Sequence, residues 1–237
     1  MKHTKSVLTT IIATSVLSAN VYAASIDFRH EYKGKTDQHA SRVKMGNTFE
    51  NNLSLDLELK FKGKDGDFMQ DLQQNGSEIG INYKYAINNE WALQPGMPIE
   101  FGTGNDDRGN VTYKPQLRVT YTPDAVDSLS LSGRYRLDIK PGQSDEDGQD
   151  KKYRNRFTFN AGYSIDNLRL GLEMNYYKSH DSSYILYDDK DTNYENNITA
   201  HYKMGDWTPW VEFGDVSVDS TKDTRELRSR VGIRYSF

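Results

Sequence analysis

The sequence has no cysteine, only six prolines in 237 residues, and no convincing helical apolar repeat. The first absence excludes a disulfide framework, so an exported chain of this kind must be held together by its fold alone. A second absence concerns membrane helices. After the N-terminal stretch no run approaches the roughly 18 consecutive apolar residues that a spanning helix requires. Mean hydropathy is −0.82, a value that suits a soluble or disordered chain until the placement of the apolar residues is considered.

The N-terminus has the form of a secretory leader over residues 1–23. Lys2 and Lys5 make a basic start, Val7 to Ala19 an apolar stretch too short to span a bilayer, and Val21-Tyr22-Ala23 a small-residue cleavage signal. An organellar presequence would be arginine-rich and amphipathic, which this segment is not. The remaining residues 24–237 read as one unit. The full chain's net charge of −4 becomes more negative once Lys2 and Lys5 are removed with the leader.

From Ala24 onward the dominant signal is strict alternation of apolar and polar residues, as in LSLDLELKF from Leu53, IGINYKYAI from Ile79 and FTFNAGYSI from Phe157. A period of two means strands with two chemically different faces. Twelve such runs fall near 25–33, 41–49, 53–62, 77–87, 91–101, 112–122, 129–139, 153–165, 168–177, 193–204, 207–216 and 226–237. Connections alternate between long ones rich in Asp, Gly and Lys and short ones such as Asn88-Asn89, Asp166-Asn167 and Gly205-Asp206. One tight end and one elaborate end is the plan of an all-β, transmembrane antiparallel up-and-down β-barrel of 12 strands. A soluble sandwich also alternates, but it gives loop lengths no reason to do so.

Aromatic placement favours the membrane. Trp91, Tyr113, Tyr121, Tyr163, Tyr176, Tyr202, Trp207 and Tyr235 lie near strand ends on the apolar parity, where interfacial girdles belong. Phe237 closes the chain in the manner of a C-terminal outer-membrane strand. Pro95, Pro98 and Pro115 interrupt the fifth and sixth runs, where a bulge or irregular pairing is expected.

If the apolar parity meets lipid, the other parity meets the lumen. Arg or Lys on the lipid face costs roughly 2–4 kcal/mol at mid-bilayer, so the reverse assignment fails. Eighteen bases and ten acids fall on the inward parity, an excess of about eight positive charges. Thirteen of these bases are the candidate pore lining: Arg29, Arg42, Lys44, Lys60, Arg118, Arg134, Arg136, Arg154, Arg156, Arg169, Arg228, Arg230 and Arg234. Some must form structural ion pairs between neighbouring strands, for which Arg136 with Glu173 and Lys60 with Glu78 are the expected examples. The arginines gather on strands six to nine and on strands twelve, one and two, which face each other in a closed twelve-strand ring. Two basic tracks across a narrow lumen suit a channel for linear, carboxylate-bearing solutes, because guanidinium binds carboxylate in bidentate fashion and conduction needs many weak sites.

Short motifs spread through the chain point the same way. FRHEYK at 28–33, SRVKMG at 41–46, NGSE at 75–78, YKP at 113–115, RYRLD at 134–138, RNR at 154–156 and the terminal RVGIRYSF together resemble the KdgM family of oligogalacturonate-specific porins. The resemblance implies a monomeric twelve-stranded outer-membrane barrel with a narrow basic pore for acidic sugars such as oligogalacturonate or sialic acid. It also implies pore-lining roles for Arg29, Arg42, Arg134, Arg136, Arg154, Arg156, Arg228 and Arg230.

The expected partners are acidic oligosaccharides, outer-membrane lipid and lipopolysaccharide; no nucleic acid, cofactor or metal is expected. Other acidic sugars such as sialic acid or alginate oligomers are the alternative. A barrel enzyme is a weaker reading: His30 falls on the lipid parity, His39 and His180 in loops, and His201 alone faces inward, with no nucleophile motif beside it. An adhesion barrel is weaker too; the acidic runs Asp145-Glu146-Asp147 and Asp188-Asp189 read as solvated loops rather than cation sites.

Overall fold

A computed structural model describes residues 21–103, 110–141 and 151–237. Most of the leader and the Asp145-Glu146-Asp147 run lie outside the described residues. Fifteen strand segments follow in order: β1 Val21–Lys33, β2 Gln38–Phe49, β3 Leu53–Lys62, β4 Gln73–Tyr83, β5 Tyr85–Ala86, β6 Trp91–Gly96, β7 Ile99–Gly102, β8 Asn110–Tyr113, β9 Gln116–Tyr121, β10 Leu129–Lys140, β11 Lys152–Ile165, β12 Leu168–Ser179, β13 Thr192–Tyr202, β14 Trp207–Ser217 and β15 Arg225–Ser236.

Every pairing is antiparallel, and β1 pairs with β15 from Ser25↔Ser236 to Lys33↔Arg228, so the sheet closes on itself. The pairs β4 with β5, β6 with β7 and β8 with β9 each form one broken span, which makes twelve spans. No edge strand remains to be covered.

The prolines explain two of the breaks. Pro98 stands between β6 and β7, and Pro115 between β8 and β9, where the missing N–H leaves a ladder step unmade. Each proline carbonyl still accepts a bond from the next strand: Lys114 N donates to Pro98 O at 2.9 Å and Leu137 N to Pro115 O at 3.0 Å. Pro95 remains inside β6 opposite Leu117. Pro209, which alternation alone does not single out, is tolerated in β14 because the β13–β14 ladder begins one residue later at His201↔Trp210.

Three strand starts differ from the expectation by three residues or more, the earliest being β1, which begins at Val21, inside the expected leader. The first connection spans only residues 34–37, so β2 starts at Gln38 and His39 is a strand residue rather than a loop residue. The Glu226 carboxylate accepts bonds from the N–H groups of Lys35 and Thr36 at 3.1 and 3.0 Å, which holds that turn tight. Similarly, β4 begins at Gln73, four residues earlier than the alternation indicated. At the short-turn end, Asn52 (φ 66°), Asp166 (φ 49°) and Gly205 (φ 60°) adopt the left-handed backbone that two-residue turns need.

Burial is inverted relative to a soluble protein. Phe157, Ile198, Leu227 and Val231 are 50–58% exposed, whereas Asp27, Thr158 and Asn175 are 2–3% exposed. Such an apolar outer wall is stable only against lipid. Its short-turn rim carries an aromatic girdle: Trp91 stacks on Tyr121 with ring centroids 4.5 Å apart, Trp207 meets Tyr235 at a tilt with centroids 4.7 Å apart, and Tyr235 meets Phe237 edge-on at 4.9 Å.

Candidate functional site

Because side chains alternate along every strand, all thirteen candidate bases stand on the lumen side of the wall. Register brings arginine directly opposite arginine at three places, Arg29↔Arg42, Arg118↔Arg134 and Arg136↔Arg156. What distinguishes these places is the supply of carboxylates.

On β15, β1, β2 and β3 nearly every base is matched. Arg42 reaches Asp27 at 2.6 Å and Glu58 at 3.2 Å, and Arg230 reaches Glu31 and Glu212 at 2.6 Å each. Arg228 lies 3.7 Å from Glu195 and 3.6 Å from Glu212, Arg234 3.5 Å from Asp27, and Arg29 3.9 Å from Glu31. Lys44 pairs with Asp56 at 3.4 Å. Lys60 pairs with Glu100 at 2.8 Å and Glu58 at 3.7 Å, rather than with Glu78. Glu78 is taken instead by Lys114, which also holds Glu100, at 2.6 and 2.5 Å.

The wall formed by β9 to β12 is different. Arg118 donates to Ser132 Oγ at 3.4 Å and Arg134 to Thr158 Oγ1 at 3.1 Å, both neutral acceptors, and Arg134 Nε is buried without a partner. Arg156 donates twice to Asn175 Oδ1, at 3.0 and 2.8 Å, with Glu173 3.8 Å away. Arg169 donates to Ser164 Oγ at 3.2 Å. Among the described residues only Arg136 and Arg154 have a close carboxylate here, and they share one, Asp138, at 2.6 Å each; the expected partner of Arg136, Glu173, is not its partner. The two expected basic tracks are therefore unequal, one largely compensated and one largely open. Between them a lumen cavity of about 240 Å³ is bordered by Arg118, Arg134 and Arg136 on one side and by Lys44, Asp56 and Glu58 on the other.

Several lumen residues escaped the charge-based reading. Trp210 is a large aromatic side chain on the inward parity; it is buried and donates its indole N–H to Asp27 Oδ2 at 2.9 Å. His201 stacks on the same indole at 5.7 Å. Gly232 makes this possible, since a Cβ there would lie 2.3 Å from the indole ring. An inward glycine beside a large inward side chain was the available signal. Tyr177 is covered by Arg154 and Arg156 at 4.9 and 5.1 Å. Glu226 adds an inward carboxylate that the alternation did not count.

A closed antiparallel sheet with a lipid-facing apolar wall, an aromatic girdle and a charged lumen defines an outer-membrane β-barrel porin. Residues 17–237 match the profile of the oligogalacturonate-specific porin protein (KdgM) family. The chain is 32% identical over 241 residues to the oligogalacturonate-specific porin KdgM of Dickeya dadantii strain 3937, covering 97% of this chain and 98% of the relative. It belongs to the KdgM family.

A solved structure of KdgM porin in complex with disordered oligogalacturonate is 29% identical and superposes with a TM-score of 0.64, covering 90% of this chain and 99% of that one. The N-acetylneuraminic acid outer membrane channel protein NanC of Escherichia coli K12 is 22% identical, over 91% of each chain. These relatives are porins and channels rather than enzymes.

Proposed function

We propose that this porin passes linear acidic oligosaccharides of the oligogalacturonate type by passive diffusion, through a narrow lumen that prefers anions. The carrying observation is the cluster of Arg118, Arg134 and Arg156, whose guanidinium groups are held by hydroxyl and amide oxygens instead of close carboxylates. Such groups keep their charge available to a passing carboxylate, and a row of them lets an anionic chain step from one to the next. The matched bases opposite, among them Arg42 and Arg230, act chiefly as structural ion pairs. Kinship with a porin solved together with oligogalacturonate supports the substrate class; kinship with NanC favours other acidic sugars as the second reading. The leader over residues 1–23 and a monomeric barrel in contact with lipopolysaccharide belong to the same proposal.

Reversal potentials across a planar bilayer under a salt gradient test it. The wild type is expected to favour chloride over potassium. Arg118→Gln with Arg134→Gln should move the reversal potential toward zero, while Arg42→Gln moves it far less. Cation selectivity in the wild type would rule the reading out.

A further inference from the structure

Residues 180–191, between β12 and β13 at the long-loop end, form a built structure rather than a loose loop. At its base Ser179 N donates to Asp191 O and Ser179 Oγ to Asp181 O, both at 2.8 Å. The first turn closes through Ser183 N on Asp181 Oδ1 at 2.8 Å and Tyr184 N on Asp181 O at 3.0 Å. This bond from the Ser183 N–H holds the Asp181 carboxyl below its usual range. The second turn is a two-residue reversal at Asp188 and Asp189, with φ of 52° and 53°, closed by the Tyr187–Lys190 bridge.

The tip is tied to the neighbouring connection. Tyr187 Oη donates to Asp223 O at 2.5 Å and Asp189 N to Ser220 O at 3.2 Å. Arg225 reinforces the tie, with its guanidinium 5.2 Å from the Tyr187 ring and 3.8 Å from the Tyr194 ring while its Nε holds Asp215 at 2.8 Å.

Held in this way, the loop sets the half-buried Tyr184 ring against Lys152, whose Nζ lies 5.2 Å from the ring centroid. Lys152 stands on the inward parity of β11, two residues above Arg154, and pairs in register with Lys140 of β10. Neither lysine forms an ion pair with a described carboxylate. A tyrosine face and two ammonium groups that lack a close ion pair among the described residues, Lys152 with the Asp181 carboxylate in its field, thus meet at the outer mouth, above the arginine wall.

We propose that Tyr184 and Lys152, with Lys140, form the entry subsite for one uronate ring of an acidic oligosaccharide. The lysines take the carboxylate, and the tyrosine takes the apolar C–H face of the pyranose. This rests on the channel reading above and adds to it a means of telling a saccharide from a simple anion. Chloride offers only charge, whereas a uronate offers charge and an apolar face, for which an aromatic side chain is suited.

Blockade of single-channel current by tetragalacturonate, with the full-length protein in a planar bilayer, tests the subsite. Tyr184→Ala is expected to lower the sugar's blocking affinity about fivefold, the scale of one aromatic contact, with chloride current in sugar-free salt unchanged. Tyr184→Phe should retain the block, and Lys152→Gln should weaken both block and anion preference. Correct folding of each variant is read from its heat-modifiable migration on a gel. If the wild type is blocked and Tyr184→Ala is blocked equally, the subsite is wrong and the channel reading stands. Should Tyr184→Ala raise chloride current as much as it changes block, the tyrosine is a steric plug and the subsite is again wrong. No block of the wild type overturns both.

Discussion

At the scale of single residues, the lumen's charge is decided by which arginines have a carboxylate within reach. Asp138 is the clearest case, because one buried carboxylate pairs with both Arg136 and Arg154 and leaves the trio one positive charge in excess. Breaking an ion pair in a dry interior costs roughly 3–5 kcal/mol, since the remaining charge stays buried. The pore side of Arg154 is partly open, so the cost here is smaller. Asp138→Asn should therefore lower the unfolding temperature modestly and, by releasing two guanidinium groups, raise the chloride preference in a reversal-potential measurement. An unchanged preference would mean that the two arginines do not face the ion path. Charge and alternation located these arginines in the sequence but could not assign their partners. Asp138 lies two residues from Arg136 on the same strand, whereas the expected partner, Glu173, belongs to a strand whose register was unknown until the sheet was closed.

At the scale of elements, the wall is uneven. β10, β11 and β12 pair along their full lengths, whereas β8 meets β10 at the single pair Ile139↔Tyr113 and β4 meets β6 at Asn82↔Gly96. Pro98 and Pro115 cause the gap, and the buried Lys114 with Glu78 and Glu100 ties the same region together from the inside. Amides next to these prolines are expected to exchange with deuterium faster than those at the centre of β11, as hydrogen exchange in detergent micelles would register. Uniform protection around the ring would contradict this. The sequence announced the irregularity through its prolines. It did not show that Pro209 is harmless, because that depends on where the β13–β14 ladder begins.

At the scale of the whole molecule, a barrel with one open basic wall and one compensated wall acts through its field as well as through contacts. Fields of this kind are screened: the Debye length falls from roughly 10 Å at 0.1 M salt to roughly 3 Å at 1 M. Anion preference should therefore decline clearly between these two concentrations. A preference that persists unchanged would place its origin in direct contact at a constriction instead of in the long-range field.

The amino-acid sequence by itself determined the strand count, the meander, the sidedness and the inward position of every candidate base. Each of these follows from local alternation and from the cost of placing charge against lipid, which need no knowledge of neighbours. Tertiary structure alone decided which bases are free, where Trp210 lies and what Tyr184 faces. Those outcomes depend on cross-strand register and on loops folding over residues distant in sequence. A period of two says which way a side chain points, but only the closed sheet says what it meets.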